Sequence, residues 1–296
     1  MEISSVPTRI EDWGRAMKRI KSIQRAGFSL IELMAVLAII AVLLCLMLPG
    51  VASSREAARR TQCVNSLRQI SLALTNYEGQ QGSLPPGVIN PSGPITTPPG
   101  LDDLHRSWLV GLLPYMEQSG VYGAVDSDYS VYEPENDRAS QTIISTFICP
   151  SDMKRRLIDG RAVGSYAGCH HETEAPIDVD NHGVFYLNSH IRHEDITDGS
   201  GMTIFVGEKL VVPPDLGWMS GTRATLRNTG TVPNGIPTGG VQDGKFVGGF
   251  ASQHPGGSNF AFGDGSVRFV REEINLEIYR RLGHREDGEL IDERSF

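Results

Sequence analysis

Basic residues are scarce in this chain outside its first 27 positions, and this scarcity limits the partners that the chain can bind. The 296 residues carry a net charge of −8. The first 27 residues hold six Lys or Arg against three acids, so the remainder is more acidic, at −11. Binding to nucleic acid needs clustered Lys and Arg against the phosphates. We therefore expect no nucleic-acid partner.

Cysteines and catalytic motifs are also few. None of the four cysteines forms a CxxC pair or has the Cys/His spacing of a structural zinc site. Cys45 lies in an apolar run, where a cysteine behaves as a small hydrophobic side chain. There is no G-x-S-x-G elbow, and the glycine-rich segments match no nucleotide-binding fingerprint. The sequence therefore predicts that the protein is not an enzyme.

One long apolar segment directly follows the basic stretch. Positions 33 to 48 contain no charged or strongly polar group, and extending the run back to Phe28 adds one charge, Glu32. The run is long enough for one membrane-spanning helix of roughly 30 Å. The preceding basic residues predict a cytoplasmic N-terminus. A carboxylate in such a helix costs on the order of 2.5 kcal/mol or more, and neither a secretory signal nor a plain signal anchor explains it.

Residues 27–50, GFSLIELMAVLAIIAVLLCLMLPG, resemble the N-terminus of a type IV prepilin or type II secretion pseudopilin. The resemblance implies that a prepilin peptidase cuts after Gly27 and that the new N-terminal residue, Phe28, is methylated. It also places the family's glutamate on Glu32 and its helix-kinking proline on Pro49. In a bundle of such helices Glu32 can lie near the free amine of Phe28 on a neighbouring subunit, which pairs an otherwise unpaired charge.

After the apolar run, residues 51–79 predict an amphipathic helix. One face carries apolar residues spaced by three and four positions, which is the spacing of a helix that packs on a core. These residues are Cys63, Leu67, Ile70, Leu74 and Tyr77. Gly79, Gly82 and two prolines end the helix. The only candidate surface for this face is the downstream domain.

The remaining residues, 80–296, predict a β-rich domain. Residues 82–100 are rich in proline and read as a surface loop. A short helical piece is expected in 107–125, and strands are expected in 142–150, 183–187 and 202–208. The clearest signal is a hairpin in 258–272, followed by a short helix. A long helix packed on mostly antiparallel strands is an α+β plan, and pilin-like proteins share it.

The resemblance extends over most of the chain beyond the N-terminus. The segments that carry it are RRTQCVNSLRQISLALTNYEGQQGSLPPG, SWLVGLLPYMEQ, FICPSD, SYAG, DITDGSGMTIFVGE and HPGGSNFAFGDGSVRFV. They are similar to a bacterial family that has a prepilin-type N-terminus and a C-terminal H-x9-D-G motif, here His254, Asp264 and Gly265. The family-like contexts of Cys63 and Cys149 imply that these two form a disulfide. Cys169 replaces a residue that is often polar in the family.

The H-x9-D-G residues have catalytic, metal-binding and structural interpretations. His254 precedes Pro255, which favours an extended conformation before the hairpin. Asp264 lies between two glycines, where turn geometry alone selects Asp. We therefore expect a structural role, with His254 hydrogen-bonded across the hairpin turn.

Two further groups of residues are candidates for metal binding. Asp178, Asp180 and His182 are spaced like the start of an EF-hand loop, but position twelve is Ser189, where a bidentate acid is needed. Because some pseudopilins bind calcium near the C-terminal strands, a calcium site at Asp178, Asp180 or Asp198 stays open. Residues 170–193 contain five histidines, but no spacing typical of a zinc site, so we expect solvated side chains.

The sequence as a whole predicts a structural subunit of a filament. Residues 1–27 form a leader, 28–50 a transmembrane helix, 51–79 a stalk and 80–296 an extracytoplasmic domain. The expected partners are a prepilin peptidase, other pilin-like subunits, a type II secretion or type IV pilus machine, and the bacterial inner membrane. The alternative is a membrane-anchored protein that binds a solute, glycan or protein through loops 82–100 and 209–245.

Overall fold

A computed structural model of the chain describes residues 27–152, 156–236, 244–289 and 291. The chain forms two compact units, Met1–Ala52 and Ser53–Phe296. The described α-helices are α1 (Leu30–Gln81), α2 (Trp108–Leu112), α3 (Ser119–Tyr122), α4 (Asp137–Ser140) and α5 (Leu276–Leu282). The described strands are β1 (Val88–Ile89), β2 (Arg106–Ser107), β3 (Leu157–Ile158), β4 (Arg161–Ala162), β5 (Tyr166–His171), β6 (Ile204–Glu208), β7 (Leu226–Asn228), β8 (Gly257–Phe262) and β9 (Val267–Arg271). Of the predicted leader, only Gly27 is among the described residues.

The first unit contains the beginning of α1. Its large apolar side chains are exposed; they are Phe28, Leu30, Ile31, Leu33, Met34, Val36, Leu37, Ile39, Ile40, Val42, Leu43, Leu44, Met47 and Val51. Within the described ranges, no helix combines the length and the apolarity that crossing a membrane requires. The assignment of residues 28–50 as a transmembrane helix stays a prediction.

In the second unit, the part of α1 from Ser53 onward packs on the core as its apolar spacing predicts. The buried side chains on this face are Cys63, Leu67, Ile70, Ala73 and Leu74, and Tyr77 packs against the same core. The helix ends two residues later than predicted, at Gln81. Gly82 follows with a φ of +80°, and its N–H donates to the carbonyl oxygen of Glu78 at 2.7 Å. Glycine is favoured at this left-handed position after a helix.

The main sheet has five strands in the order β7-β5-β6-β8-β9. The β5–β7 pair is parallel, and the other three pairs are antiparallel. The predicted hairpin is confirmed as β8 and β9, with Asn259 opposite Phe269. The last helix is confirmed as α5, and the Asn275 side chain accepts from the Glu277 N–H at 2.8 Å. The α+β fold with a mostly antiparallel sheet is therefore confirmed.

Core packing occurs on both faces of this sheet. Successive residues of a strand point to opposite faces. Ala261 accordingly joins the cluster that includes Cys63 and Leu67 of α1. Phe260 joins the other cluster with Tyr279 of α5, and their ring centroids lie 5.9 Å apart.

Two predicted strands are wrong. In 142–150 the chain forms a short 3₁₀ helix, Ser145–Phe147, and the consecutive residues Phe147, Ile148 and Cys149 are all buried without pairing to a described strand. In 183–187 only Leu187 makes a β-bridge, to Val88. The central strand β5 was missed because its sequence, YAGCHH, contains glycine and two histidines although most of it is buried.

Candidate functional site

The predicted cleavage site lies in exposed, non-helical chain just before α1. Gly27 and Phe28 both precede the first helical residue, and the Phe28 side chain is 76% exposed. Among the described residues, no atom lies within 4 Å of the position that a Cβ on Gly27 would occupy. The predicted cleavage point therefore lies in an exposed part of the described chain.

Glu32 caps the helix that it belongs to. Ser29 is the residue before α1, and its N–H donates to Oε2 of Glu32 at 3.0 Å. This contact is one half of a capping box, in which an acid at the third helical position accepts from the residue before the helix. The carboxylate also lies at the positive end of the helix dipole. The signal in the sequence is the spacing S-x-x-E in SLIE, which our sequence analysis missed. Pro49 lies within α1, but its side chain is outside the described residues.

In the second unit, Cys63 and Cys149 form a disulfide, which is the pairing that the resemblance implied. It joins α1 to the segment after the 3₁₀ helix at 145–147, and 86 positions separate the two cysteines. Both cysteines are buried, and the Tyr166 hydroxyl donates to the Cys63 carbonyl oxygen at 3.4 Å. Cys169 is a buried free cysteine, and burial raises the pKa of its thiol.

His254 lies beside this disulfide, between two carboxylates. Its Nδ1 is 2.6 Å from Oε1 of Glu56, on α1, and its Nε2 is 3.3 Å from Oε1 of Glu208, at the end of β6. The same Nε2 lies 3.6 Å from Sγ of Cys149. Burial alone would lower the pKa of His254, but the hydrogen bonds and charges of Glu208 and Glu56 raise it above its ordinary value.

Each carboxylate of this cluster has further donors. The backbone N–H of Asn259 donates to Glu208 Oε2 at 2.8 Å, and its side-chain amide donates at 3.1 Å. The Ser151 hydroxyl donates to Glu56 Oε1 at 3.1 Å, and Arg59 pairs with Glu56. Burial would raise the pKa of Glu56, but its hydrogen bonds to His254, Arg59 and Ser151 lower it. A buried charge requires such partners.

This cluster gathers residues from segments that carry the family resemblance. Cys63, Cys149, Glu208 and His254 lie close enough to one another to form a four-residue metal-binding group. Since the two cysteines are joined as a disulfide, their sulfurs are not thiolate ligands. The remaining histidine and carboxylates link α1 to strands β6 and β8. The arrangement is therefore a buried polar link between elements.

The prediction that His254 bonds across the hairpin turn is wrong. The six-residue strand β8 separates His254 from Asp264, and an extended strand of this length spans about 20 Å. Asp264 instead accepts from the Ser266 N–H at 2.8 Å within the turn. Gly265 has a φ of +81°. Asp264 and Gly265 thus shape the turn, as expected from turn chemistry. His254 instead contacts Glu56 and Glu208.

The expectation that the clustered histidines are solvated is wrong for three of them. His170 is fully buried, and its Nδ1 lies 3.2 Å from Oδ1 of Asn181. Burial lowers the pKa of His170 to about 3, so the ring is neutral. His171 is largely buried, with 12% of its side chain exposed. His193 bonds through Nδ1 to Glu78 at 2.7 Å and through Nε2 to the Gly263 carbonyl oxygen at 2.7 Å.

Another group in this region brings His171 and His182 to one carboxylate, that of Glu172. Both histidines belong to the histidine-rich segment 170–193, whereas Glu172 was not among the predicted site residues. Burial alone would raise the pKa of Glu172, but hydrogen bonds from His171 and His182 contribute to lowering it to about 2. A signal available in the sequence is the pattern H-E-x9-H, although its spacing fits no standard metal motif.

The three calcium candidates do not converge. Among the described residues, no group of three or more metal-binding side chains includes Asp178 or Asp180. Asp198 lies with His284 and Asp287 in one such group. Its two oxygens already accept from the backbone N–H groups of Asp287 and Gly288, at 2.7 and 2.8 Å. This arrangement explains Asp198 as a residue that fixes a turn.

Two family matches identify the chain as a type IV prepilin- or pseudopilin-like protein. Residues 24–46 match the family described as "prokaryotic N-terminal methylation motif". Residues 52–277 match the family described as "protein of unknown function (DUF1559)", and the chain belongs to this family. Neither description names an enzymatic activity. No curated protein and no solved structure matches the chain.

Proposed function

We propose that the protein is a structural subunit of a pilus or pseudopilus, assembled by a type IV pilus or type II secretion machine. A prepilin peptidase removes residues 1–27 and the new terminus at Phe28 is methylated. The helix from Phe28 then anchors the subunit in the inner membrane before assembly. The observation that carries the proposal is the exposed apolar surface of α1 behind an accessible cleavage site.

The exposure of α1 in the first unit supports burial in lipid or among other helices. Large apolar side chains are exposed at most positions from Phe28 to Val51, rather than along one face only. A helix that is apolar on all sides requires an apolar environment. A membrane provides this environment before assembly, and neighbouring α1 helices provide it in a filament core. The acidic second unit, with its disulfide, suits an oxidising space outside the cytoplasm.

The capping contact is compatible with Glu32 both in the membrane and in an assembled filament. A carboxylate has about four lone-pair sites. Glu32 can therefore keep the Ser29 N–H and also accept the terminal amine of Phe28 on an adjacent subunit. The first interaction satisfies a helix end, and the second pairs two charges away from water. Both contribute to offsetting the cost of a charge in the apolar segment.

Two substitutions at Glu32 separate these interactions. Glu32→Gln retains an acceptor at the capping position but removes the charge, whereas Glu32→Ala removes both. We expect both variants to reach the membrane fraction, and both to be lost from sheared surface filaments or overexpressed pseudopili. Wild-type incorporation of Glu32→Gln would show that capping alone explains the residue. Wild-type incorporation of Glu32→Ala would contradict any assembly role for it.

A second candidate function is supported by a cleft in the second unit. Loops 82–100 and 209–245, which the sequence analysis assigned to a ligand, contribute to a cleft of about 460 Å³. It is lined by Thr97, Pro98, Pro99, Pro214, Leu216, Arg223, Gly244 and Phe246. Its volume falls in the usual range of small-molecule sites, and the Arg223 guanidinium lies 5.9 Å from the centroid of the Phe246 ring.

A membrane-anchored binding protein would use this cleft to capture a solute or glycan. A panel of soluble glycans and aromatic solutes would be tested for a rise in melting temperature of the full chain in detergent. A rise that is lost in Phe246→Ala would support binding in the cleft. A rise that persists in this variant, or no rise with any compound, would count against it.

A further inference from the structure

At the end of β5, one carboxylate faces two imidazoles. Oε2 of Glu172 lies 2.8 Å from Nδ1 of His171, and Oε1 of Glu172 lies 3.1 Å from Nδ1 of His182. The side chains of His171, Glu172 and His182 are 12%, 20% and 45% exposed. The group is thus partly enclosed but accessible to a solvated ion.

The hydrogen bonds around His171 do not account for its position. The Thr173 N–H donates to His171 Nδ1 at 3.1 Å, which requires an unprotonated nitrogen. The same nitrogen lies 2.8 Å from a carboxylate oxygen, which is also an acceptor. One lone pair cannot serve a donor while the nitrogen donates to the carboxylate. A cation bound by both the nitrogen and the carboxylate oxygen would remove this conflict, and it would take the lone pair that the Thr173 N–H otherwise uses.

The backbone brings these side chains together without any ion. The Gly183 N–H donates to the His170 carbonyl oxygen at 2.9 Å, and the Arg285 N–H donates to the His182 carbonyl oxygen at 3.1 Å. A Cβ on Gly183 would lie 2.5 Å from the Cys169 carbonyl oxygen, so only glycine fits this approach. A rigid strand and a loop fixed by the backbone thus carry the two histidines. Such preorganisation lowers the cost of ordering the ligands when an ion binds.

The number and type of ligands favour one class of ion. Zinc binds His nitrogen and carboxylate oxygen at about 2.0–2.2 Å in a tetrahedron, which places its ligand atoms about 3.3 Å apart. Oε2 of Glu172 lies 2.8 Å from Nδ1 of His171 and 3.2 Å from Nδ1 of His182, and both distances are close to this value. Calcium needs six to eight oxygen ligands, whereas this group offers two nitrogens and one carboxylate.

We propose that His171, Glu172 and His182 bind one divalent transition-metal ion, best matched by Zn²⁺, with the remaining coordination position open to water. The ring of His284 lies against His182, tilted by 43° with centroids 4.7 Å apart, and it borders the site. The site is separate from the N-terminal segment and from the Glu56–His254–Glu208 cluster. It does not depend on the proposed function in assembly.

The test is metal binding by the full chain, purified in detergent without a polyhistidine tag and stripped with a chelator. Zn²⁺ and Ca²⁺ would be titrated separately by calorimetry, and Co²⁺ would be used to record the absorption bands of a tetrahedral site. We expect one Zn²⁺ per chain, a higher melting temperature with Zn²⁺ and no effect of Ca²⁺ at the same concentration. No binding of Zn²⁺ to the wild-type chain would overturn the proposal.

Three variants make the assignment specific. His182→Ala removes a half-exposed ligand, and Glu172→Gln keeps the side-chain shape and covers the case in which His182→Ala does not fold. We expect each to weaken Zn²⁺ binding by at least ~10-fold. The matched control is His190→Ala, since His190 is an exposed histidine of the same region, and its affinity should equal that of the wild type. Unchanged affinity in His182→Ala or Glu172→Gln would contradict the site, and so would an equal loss in His190→Ala.

Discussion

Nδ1 of His254 lies 2.6 Å from Oε1 of Glu56, although 198 positions separate the two residues along the chain. The contact ties the segment before β8 to α1. On the other side of the ring, Glu208 extends the link to β6. The histidine of the H-x9-D-G motif thus holds the helix and the sheet of the second unit together, while the Asp and Gly shape a turn.

This link predicts a pH dependence of stability. The pKa of His254 in the folded chain is raised above the value of about 6.5 expected when unfolded. Its stabilising contribution is therefore present in full below about pH 6.5 and is lost as pH rises through the folded-state pKa. We expect the melting temperature of the wild type to fall from pH 6 to pH 8.5 more than that of His254→Gln. Parallel curves for the two proteins would contradict the role of His254.

The disulfide predicts a defined count of free thiols. With the chain unfolded in denaturant but not reduced, alkylation should label two cysteines, Cys45 and Cys169, as intact mass would show. In the native chain we expect no labelling of Cys169, because burial raises the pKa of its thiol and shields it. Labelling of Cys63 or Cys149 without a reductant would contradict the disulfide.

Removing the disulfide should also destabilise the second unit. The bond closes a loop across 86 positions, and the chain-entropy estimate for a loop of this length is about 4.6 kcal/mol. The double variant Cys63→Ser/Cys149→Ser should lose about that much free energy of unfolding, measured in urea. Cys45→Ser is the control, because Cys45 is exposed and outside the core. An equal loss in the control would contradict this account.

The turn at Gly265 predicts that the loss of unfolding free energy depends on which residue replaces the glycine. Its φ of +81° is costly for an L side chain, but no atom lies within 4 Å of the Cβ position. Gly265→Ala should therefore cost about 1 kcal/mol from backbone strain alone. Gly265→Asn should cost less, since Asn tolerates the left-handed region. Urea unfolding of both variants tests this order, and an equal or larger loss in Gly265→Asn would be inconsistent with a strain origin.

The features that could be predicted are those that depend on residues close together in the sequence. The apolar spacing from Cys63 to Tyr77 predicted the packed face of α1, and the glycines around Asp264 predicted the turn of the hairpin. The contact between Glu56 and His254 could not be predicted, because no local spacing relates residues that meet only after the sheet and helix pack. The apolar, β-branched residues of 142–150 were misleading because a short segment that buries consecutive side chains without a partner strand has the same composition as a strand.

The candidate sites also divide into those formed by one continuous segment, which could be predicted, and those formed by distant segments, which could not. Gly27, Phe28 and Glu32 lie in one continuous motif, so the sequence predicts roles for them, and these roles stay predictions. The capping role of Glu32 was also readable there, in the S-x-x-E spacing. The grouping of His171, Glu172 and His182 depends on a loop that returns to the end of β5, and the contact between Gly183 and His170 that fixes this return has no signature in the sequence.

The central claim is that a prepilin peptidase matures this chain. It is tested most directly by intact-mass and N-terminal peptide analysis of the protein from its native membranes. We predict a mature chain that begins at N-methylated Phe28. A chain that begins near Ser53 would indicate an ordinary secretory signal, and an unprocessed Met1 would indicate a simple anchor; either result would contradict the account.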